Sequence, residues 1–153
     1  MNSSSVFIAL LSVSICFGAT LVKEPSCVHP AFKYVAGKCL LFVAKPASFA
    51  MADKQCAGLY DYPTDLVSIH SEEENAAVKE FVGDRAFWIG AAVDVDGVFF
   101  WTDRSPWTFH DLVSQNYPQQ DRCIYVRAEQ GNWDYNNCSN DRLPYVCEGP
   151  VKK

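Results

Sequence analysis

Hydrophobic residues fall along this chain in three successive textures. In "KYVAGKCLLFV", Lys33 to Val43, aromatic and branched residues surround Gly37, which predicts two short strands and a turn. The spacing then becomes helical. In "PASFAMADKQCAGLYDYPTD", Phe49, Ala52, Cys56 and Leu59 form one stripe, Ser48 can cap the helix, and Gly58 and Pro63 bracket its end. "LVSIHSEEENAAVKEFVG" predicts a second helix. Ser71 and Glu74 make a capping box, while Glu72 and Glu73 suit the positive N-terminal end. Ala77, Val78 and Phe81 supply its buried face, and Gly83 stops it.

Beyond Gly83 the third texture begins. "AFWIGAAV", "GVFFWTD", "RCIYVRA" and "LPYVCE" are short strand-like runs separated by turn formers. Strands, two helices, then strands predict an α+β domain rather than alternating βαβ units. The segment from Thr102 to Asp121 carries few strand or helix signals and reads as a long irregular loop. Its tryptophan, its two prolines and the cysteine that follows predict that it is ordered.

The N-terminal end changes the picture. Val6 to Phe17 is apolar, no charge precedes Lys23, and the small residue Gly18 follows. This predicts a secretory signal peptide over 1–18, leaving 19–153 as one secreted, extracellular domain. No later segment is apolar for long enough to span a bilayer, so no membrane insertion is expected after cleavage. Cys16 leaves with the signal. Cys27, Cys39, Cys56, Cys123, Cys138 and Cys147 remain, an even number that reads as a disulfide framework. Spacing alone does not choose among the pairings, and no C-x-x-C favours structural zinc.

The formal charge of −5, with Lys and Arg scattered, excludes the electrostatic footprint of a nucleic-acid binder or of an anionic-membrane binder. The surplus carboxylates fit calcium, and they fit plain solubility equally. Catalysis is not expected. The cysteines pair, and His29, His70 and His110 are scattered with no zinc spacing. "VDVDG", Val93 to Gly97, starts like a calcium loop but lacks the later ligands, so it predicts a turn between strands. "NCS", Asn137 to Ser139, is a formal glycosylation sequon whose middle residue is a disulfide candidate.

Several motifs in order carry a resemblance. "WIG" (Trp88 to Gly90), "FFWTDRSP" (Phe99 to Pro106), "RCIYV", "GNWDYNNC" (Gly131 to Cys138) and "LPYVCE" together resemble the C-type lectin-like domain family in its long form, over nearly all of Cys27 to Glu148. The resemblance implies two helices with short antiparallel sheets, a long irregular loop and three disulfides: Cys56 with Cys147, Cys123 with Cys138, and Cys27 with Cys39.

It also implies a site. Sugar-binding members surround a calcium ion with oxygen-bearing side chains, and the ion and those side chains hold the sugar hydroxyls. Calcium takes about 6–8 oxygens and binds more tightly as ligand charge rises. The matching positions here are Tyr117 and Gln119 around Pro118, then Asp121, Asp134 and Tyr135. Asn116 takes the place of Tyr117 if the register slips by one. Asp121 and Asp134 keep a carboxylate, whereas Tyr117 and Tyr135 offer phenols, so the main calcium-sugar site is degenerate. A rival reading buries Trp133 in the core and leaves Asp134 and the asparagines to fill the turn before Cys138. A second, structural calcium position matches the carbonyl of Val67 and the side chains of Glu73 and Glu148. Of the two, this is the better candidate for holding calcium.

The function implied is a secreted carbohydrate-binding, lectin-like recognition module, of the kind that serves innate immunity by binding microbes. The alternative is a calcium-independent module for a protein ligand. The aromatic loop residues Trp107, Phe109 and Tyr117, with Tyr135, suit glycans or a protein partner, because both favour aromatic faces.

Overall fold

The computed structural model describes residues 24–114, 116, 117, 119 and 122–153; the expected signal peptide, Pro118 and Asp121 lie outside the described residues. The elements run β1 (Lys33–Val35), β2 (Lys38–Ala47), α1 (Phe49–Ala57), β3 (Asp65–Leu66), α2 (Glu72–Val82), β4 (Phe87–Val93), β5 (Phe99–Trp101), β6 (Cys123–Val126), β7 (Trp133–Asn136) and β8 (Leu143–Gly149). The expected separate short sheets are joined into one eight-stranded sheet, ordered β1-β2-β8-β4-β6-β7, with β3 on β8 and β5 on β4. The joint is β4 against β8, a parallel contact at Trp88 and Tyr145 within an otherwise antiparallel sheet.

Strand β4 shows why the core divides in two. All seven of its residues are buried, and successive side chains in a strand point to opposite faces. Phe87, Ile89, Ala91 and Val93 face the layer that holds Val78 and Val82 of α2. Trp88 and Ala92 face the layer that holds Phe49, Ala52 and Cys56 of α1. Gly90 sits between them without a side chain for a steric reason. A Cβ there would lie 2.8 Å from both the Leu66 carbonyl oxygen and Thr102 Oγ1.

Both helices differ in detail from their sequence pattern. Ser48 occupies the N-cap of α1, but its side chain makes no cap hydrogen bond. The Phe49 amide instead donates to the Cys138 carbonyl at 3.1 Å, so a neighbouring segment satisfies the helix end. Leu59 lies past the helix and packs partly buried on the α1-side cluster. In α2, Ser71 Oγ accepts from the Glu74 amide at 3.2 Å as expected. The returning carboxylate of Glu74 accepts from the His70 amide at 2.8 Å, one residue before the capping-box position.

The buried face of α2 is Asn75, Val78 and Val82 rather than Ala77, Val78 and Phe81, which leaves Ala77 and Phe81 half-buried. The cause is polar. Asn75 is fully buried, its Nδ2 donates to Asp111 Oδ2 at 2.9 Å, and its Oδ1 accepts from Trp133 Nε1 at 3.0 Å. These bonds turn the helix so that an amide, not an alanine, faces inward.

The three disulfides are those the resemblance implied: Cys27–Cys39, Cys56–Cys147 and Cys123–Cys138. Cys56–Cys147 ties α1 to β8 across 91 residues, and a crosslink closing such a loop is worth about 2–4 kcal/mol. The segment from Thr102 onward is irregular yet anchored. Trp133 donates to the Asp111 carbonyl at 2.8 Å, and Val113 donates to the Trp133 carbonyl at 3.0 Å.

Two stability predictions follow from this packing. Asn75→Ala strands the Trp133 indole N–H and leaves Asp111 without its amide donor, and the expected loss is about 2–4 kcal/mol in urea unfolding. Faster amide exchange at Val113 should accompany it; unchanged exchange would show that the loop is held by other means. Gly90→Ala should cost about 1–3 kcal/mol by overpacking, read as a lower urea midpoint with an unchanged slope.

Candidate functional site

Of the positions matched to the main calcium-sugar site, those described turn several of their oxygens to partners within the protein. The Tyr117 hydroxyl rests on Gly97, and its ring meets Phe99 edge-on at 6.1 Å. Gln119 serves Arg122: its carbonyl accepts from Arg122 Nε at 2.9 Å, and its side-chain oxygen lies 3.4 Å from Nη2. Arg122 Nη1 donates to the Asp94 carbonyl at 2.6 Å, and the guanidinium lies 5.7 Å from the Tyr117 ring centre. A fixed cation therefore stands among positions expected to surround one.

On β7, Asp134 Oδ1 accepts from the Tyr135 amide at 2.8 Å, and the Tyr135 hydroxyl donates to the Ser114 carbonyl at 2.8 Å. Burial, reinforced by the Asp134 charge, pushes the Tyr135 phenol above its ordinary value, so it stays neutral. Asp121 lies outside the described residues. Of the described positions Asp134 alone brings a carboxylate, and calcium binds more tightly as ligand charge rises. Trp133 is fully buried, and Asp134 and Asn136 belong to β7 rather than to a turn.

The second calcium position is likewise engaged. The Val67 carbonyl accepts from the Gly90 amide at 2.8 Å. Glu148 receives Lys38 Nζ at 3.0 Å on both carboxylate oxygens, and the Ser68 amide lies 3.4 Å from Oε2. Lys38 Nζ also lies 3.6 Å from Glu74 Oε2. Burial raises the Glu148 pKa, with Lys38 opposing and Asp103 adding to the rise. Glu73 is exposed, and hydrogen bonds from its own amide and from Ser71 lower its pKa. Its carboxylate serves the helix start, whereas that of Glu148 turns to Lys38. Lys38, itself buried, is the residue that sequence reasoning missed. Its pairing depends on β2 lying against β8, which no local pattern announces.

Beside it, Ser68 Oγ donates to Asp103 Oδ2 at 2.6 Å, and His70 Nε2 lies 3.1 Å from Ser68 Oγ. Burial pushes Asp103 up, but hydrogen bonds from Ser105 and Ser68 and the nearby His70 outweigh it, and its pKa is lowered. Ser68 is buried and directs its proton to Asp103, so the Ser68–His70 contact is not an activated nucleophile. Among the described residues no three His, Cys, Asp or Glu side chains are placed to hold a metal.

The aromatic loop residues are drawn inward. Phe109 packs edge-on to Trp133 at 5.8 Å, and Trp107 lies 5.1 Å from Trp101. Trp107 also stacks on Phe99 at 5.3 Å and runs nearly parallel to His110 at 6.2 Å. With Leu112, Phe99, Trp107 and His110 line a cavity of about 90 Å³. Its walls are aromatic and aliphatic, with one imidazole, which suits the C–H face or an acetyl group of a sugar. Phe99 and Leu112 joined this site without a sequence signal, because Phe99 reads as an ordinary strand residue and Leu112 as one apolar residue in an irregular loop.

Comparison with known proteins identifies the family and the fold. The pattern of the family described as "Lectin C-type domain" matches residues 45–149. Rheacalcin-2 of Rhea americana is 28% identical over 128 residues, covering 73% of this chain and 88% of that protein. The CD302 antigen of Rattus norvegicus is 36% identical over 92 residues, 56% of this chain, which spans only 39% of that longer protein. Among solved structures, the cow C-type carbohydrate-recognition domain of CD23, determined in the presence of a GlcNAc2Man3 oligosaccharide, superposes with a TM-score of 0.72 at 26% identity. That match covers 85% of this chain and 99% of the CD23 chain. A calcium-independent type II antifreeze protein shares the fold at a TM-score of 0.75 and 22% identity, over 84% of this chain and 98% of its own. The chain belongs to the C-type lectin domain family, and it is a lectin-like recognition module on that family's α+β fold.

Proposed function

We propose that this chain is a secreted glycan-binding module that recognises sugar through the aromatic cavity of its long loop, with no calcium ion at the degenerate main site. The observation that carries the reading is the cavity lined by Phe99, Trp107, His110 and Leu112, whose Phe99 meets the Tyr117 ring that Arg122 in turn approaches. Sugar rings present apolar C–H faces that aromatic walls accept. The likeness to a carbohydrate-recognition domain of CD23 supports the ligand class. At the second position, Lys38 takes the role of the calcium ion by neutralising Glu148.

Secretion is supported by the apolar stretch Val6 to Phe17 and by the three disulfides, which persist in oxidising compartments. Among the described residues no helix is long and apolar enough to cross a membrane. The reading gives 1–18 as the signal peptide and 19–153 as the recognition domain. It has no catalytic role, and binding of microbial glycans in innate immunity is the setting it fits.

Glycan-array binding with calcium and with EDTA tests the main claim. Signal should be unchanged by EDTA. It should fall about tenfold in Leu112→Phe, which fills the cavity without removing apolar packing, and in His110→Ala. Binding abolished by EDTA and restored by calcium would sink the calcium-independent reading. Absence of glycan signal in both conditions would replace it with a protein ligand. A second measurement addresses the lost carboxylates. The double variant Tyr117→Glu, Tyr135→Asp should bring calcium affinity to a Kd of about 1 mM, the range of extracellular modules, in titration calorimetry. No gain would show that Arg122, rather than missing charge, excludes the ion.

A further inference from the structure

A second, larger cavity of about 380 Å³ opens where the C-terminal end of α2 meets the β6–β7 turn. Phe87 and Val126, register partners on β4 and β6, close its floor. Its walls carry Lys79, Arg85 and Arg127 in a chain whose formal charge is −5. Arg85 has an evident structural duty. Its Nε and Nη2 donate to the Val82 carbonyl at 3.2 and 2.8 Å, and its guanidinium lies 4.1 Å from the Phe42 ring centre.

Lys79 and Arg127 have no such explanation. Both are half-buried, and neither makes an ion pair; the ion pairs found among the described residues belong to Lys38. The two carboxylates that share the cavity, Asp84 and Glu129, form no ion pair with them among the described residues. Asp84 Oδ1 accepts from the Glu129 amide at 2.6 Å, and Glu129 is exposed at the rim. The helix dipole favours a cation near the end of α2, but it does not account for Arg127, which follows β6. Nor does it account for the path of Lys79, which lies across Gly131, a glycine at φ +69°. A Cβ at Gly131 would meet the Lys79 stem, so the bare backbone there lets the lysine lie into the cavity. Three cations against two carboxylates leave the cavity net positive, and half-buried cations outside any ion pair carry a desolvation cost that an anionic ligand offsets.

We infer that this cavity is a binding site for a small oxyanion, the sulfate or carboxylate of an acidic saccharide, held between Lys79 and Arg127 with Arg85 at the edge. It is separate from the aromatic cavity and does not depend on that cavity's ligand. A sugar carrying the anion would lay its ring toward Phe87 and Val126.

Two-dimensional amide NMR of the disulfide-bonded domain tests it, with sodium sulfate and sodium glucuronate each titrated against chloride at constant ionic strength. Saturable shifts at Asp84 and from Glu129 to Gly131 are expected. Lys79→Met, which keeps the stem over Gly131, and Arg127→Gln should each weaken binding about tenfold, the loss of one charge-assisted hydrogen bond. Lys45→Met, at an exposed strand lysine, should leave it unchanged. Saturation by sulfate alone assigns a sulfated sugar, and saturation by glucuronate assigns a carboxylate. Shifts that do not saturate, or that persist in both cavity variants, would overturn the site.

Discussion

The carboxamide of Asn75 donates to Asp111 and accepts from Trp133 at a depth where water does not reach. Three parts of the chain meet there: helix α2, the middle of the irregular loop and strand β7. A buried amide tolerates few orientations, because each unpaired donor or acceptor costs the full desolvation of that group. The bond pair therefore sets which face of α2 turns inward and where the loop enters. Trp133 then becomes the floor on which Trp101, Trp107 and Phe109 assemble. The small aromatic cavity is a surface feature of that assembly. Its shape depends on a hydrogen bond that no ligand touches.

A second constraint is charge. Carboxylates and carbonyls that cluster in a folded domain need a cation or a donor nearby. A bound ion is one solution, and side chains are another. Here Lys38 neutralises Glu148 beside the α2 cap, and Arg122 binds the oxygens of Gln119 and the Asp94 carbonyl. Phenols at Tyr117 and Tyr135 are consistent with this solution, since they are neutral and can pack or bond to the backbone. The same fold can thus hold a loop with its own cations, leaving recognition to aromatic surface. Lys79 and Arg127 differ from these two because neither forms an ion pair among the described residues.

Much of the fold was legible along the chain. The β1–β2 turn followed from Gly37 among branched residues, the end of α2 from Gly83, and the start of α2 from Ser71 with Glu74. The run around Phe87 to Val93 read as a strand, and the structure buries it on both faces, as its apolar character at every position allows. Phe81 shows the limit. Apolar spacing placed it inward, yet Asn75 won the inward face by making two bonds that periodicity does not weigh. Ser48 shows another, since its cap was supplied instead by the carbonyl of Cys138, remote in sequence. At the aromatic cavity Trp107 was named from the sequence, but Phe99 and Leu112 were not, nor was the pairing of Lys38 with Glu148.

By itself the sequence determined the family, the α+β class, the positions of both helices and the loss of carboxylates at Tyr117 and Tyr135. These are local matters: periodicity, capping chemistry and the identity of side chains at motif positions. Only the tertiary structure decided which partners those side chains met. The parallel contact of β4 with β8 joined the strands into one sheet, pairing β2 with β8 put Lys38 on Glu148, and packing drew Trp107 inward instead of leaving it a free platform. The reason is physical. Local preferences are settled within a few residues, whereas a buried charge or amide is satisfied by whatever the long-range fold brings within hydrogen-bonding distance.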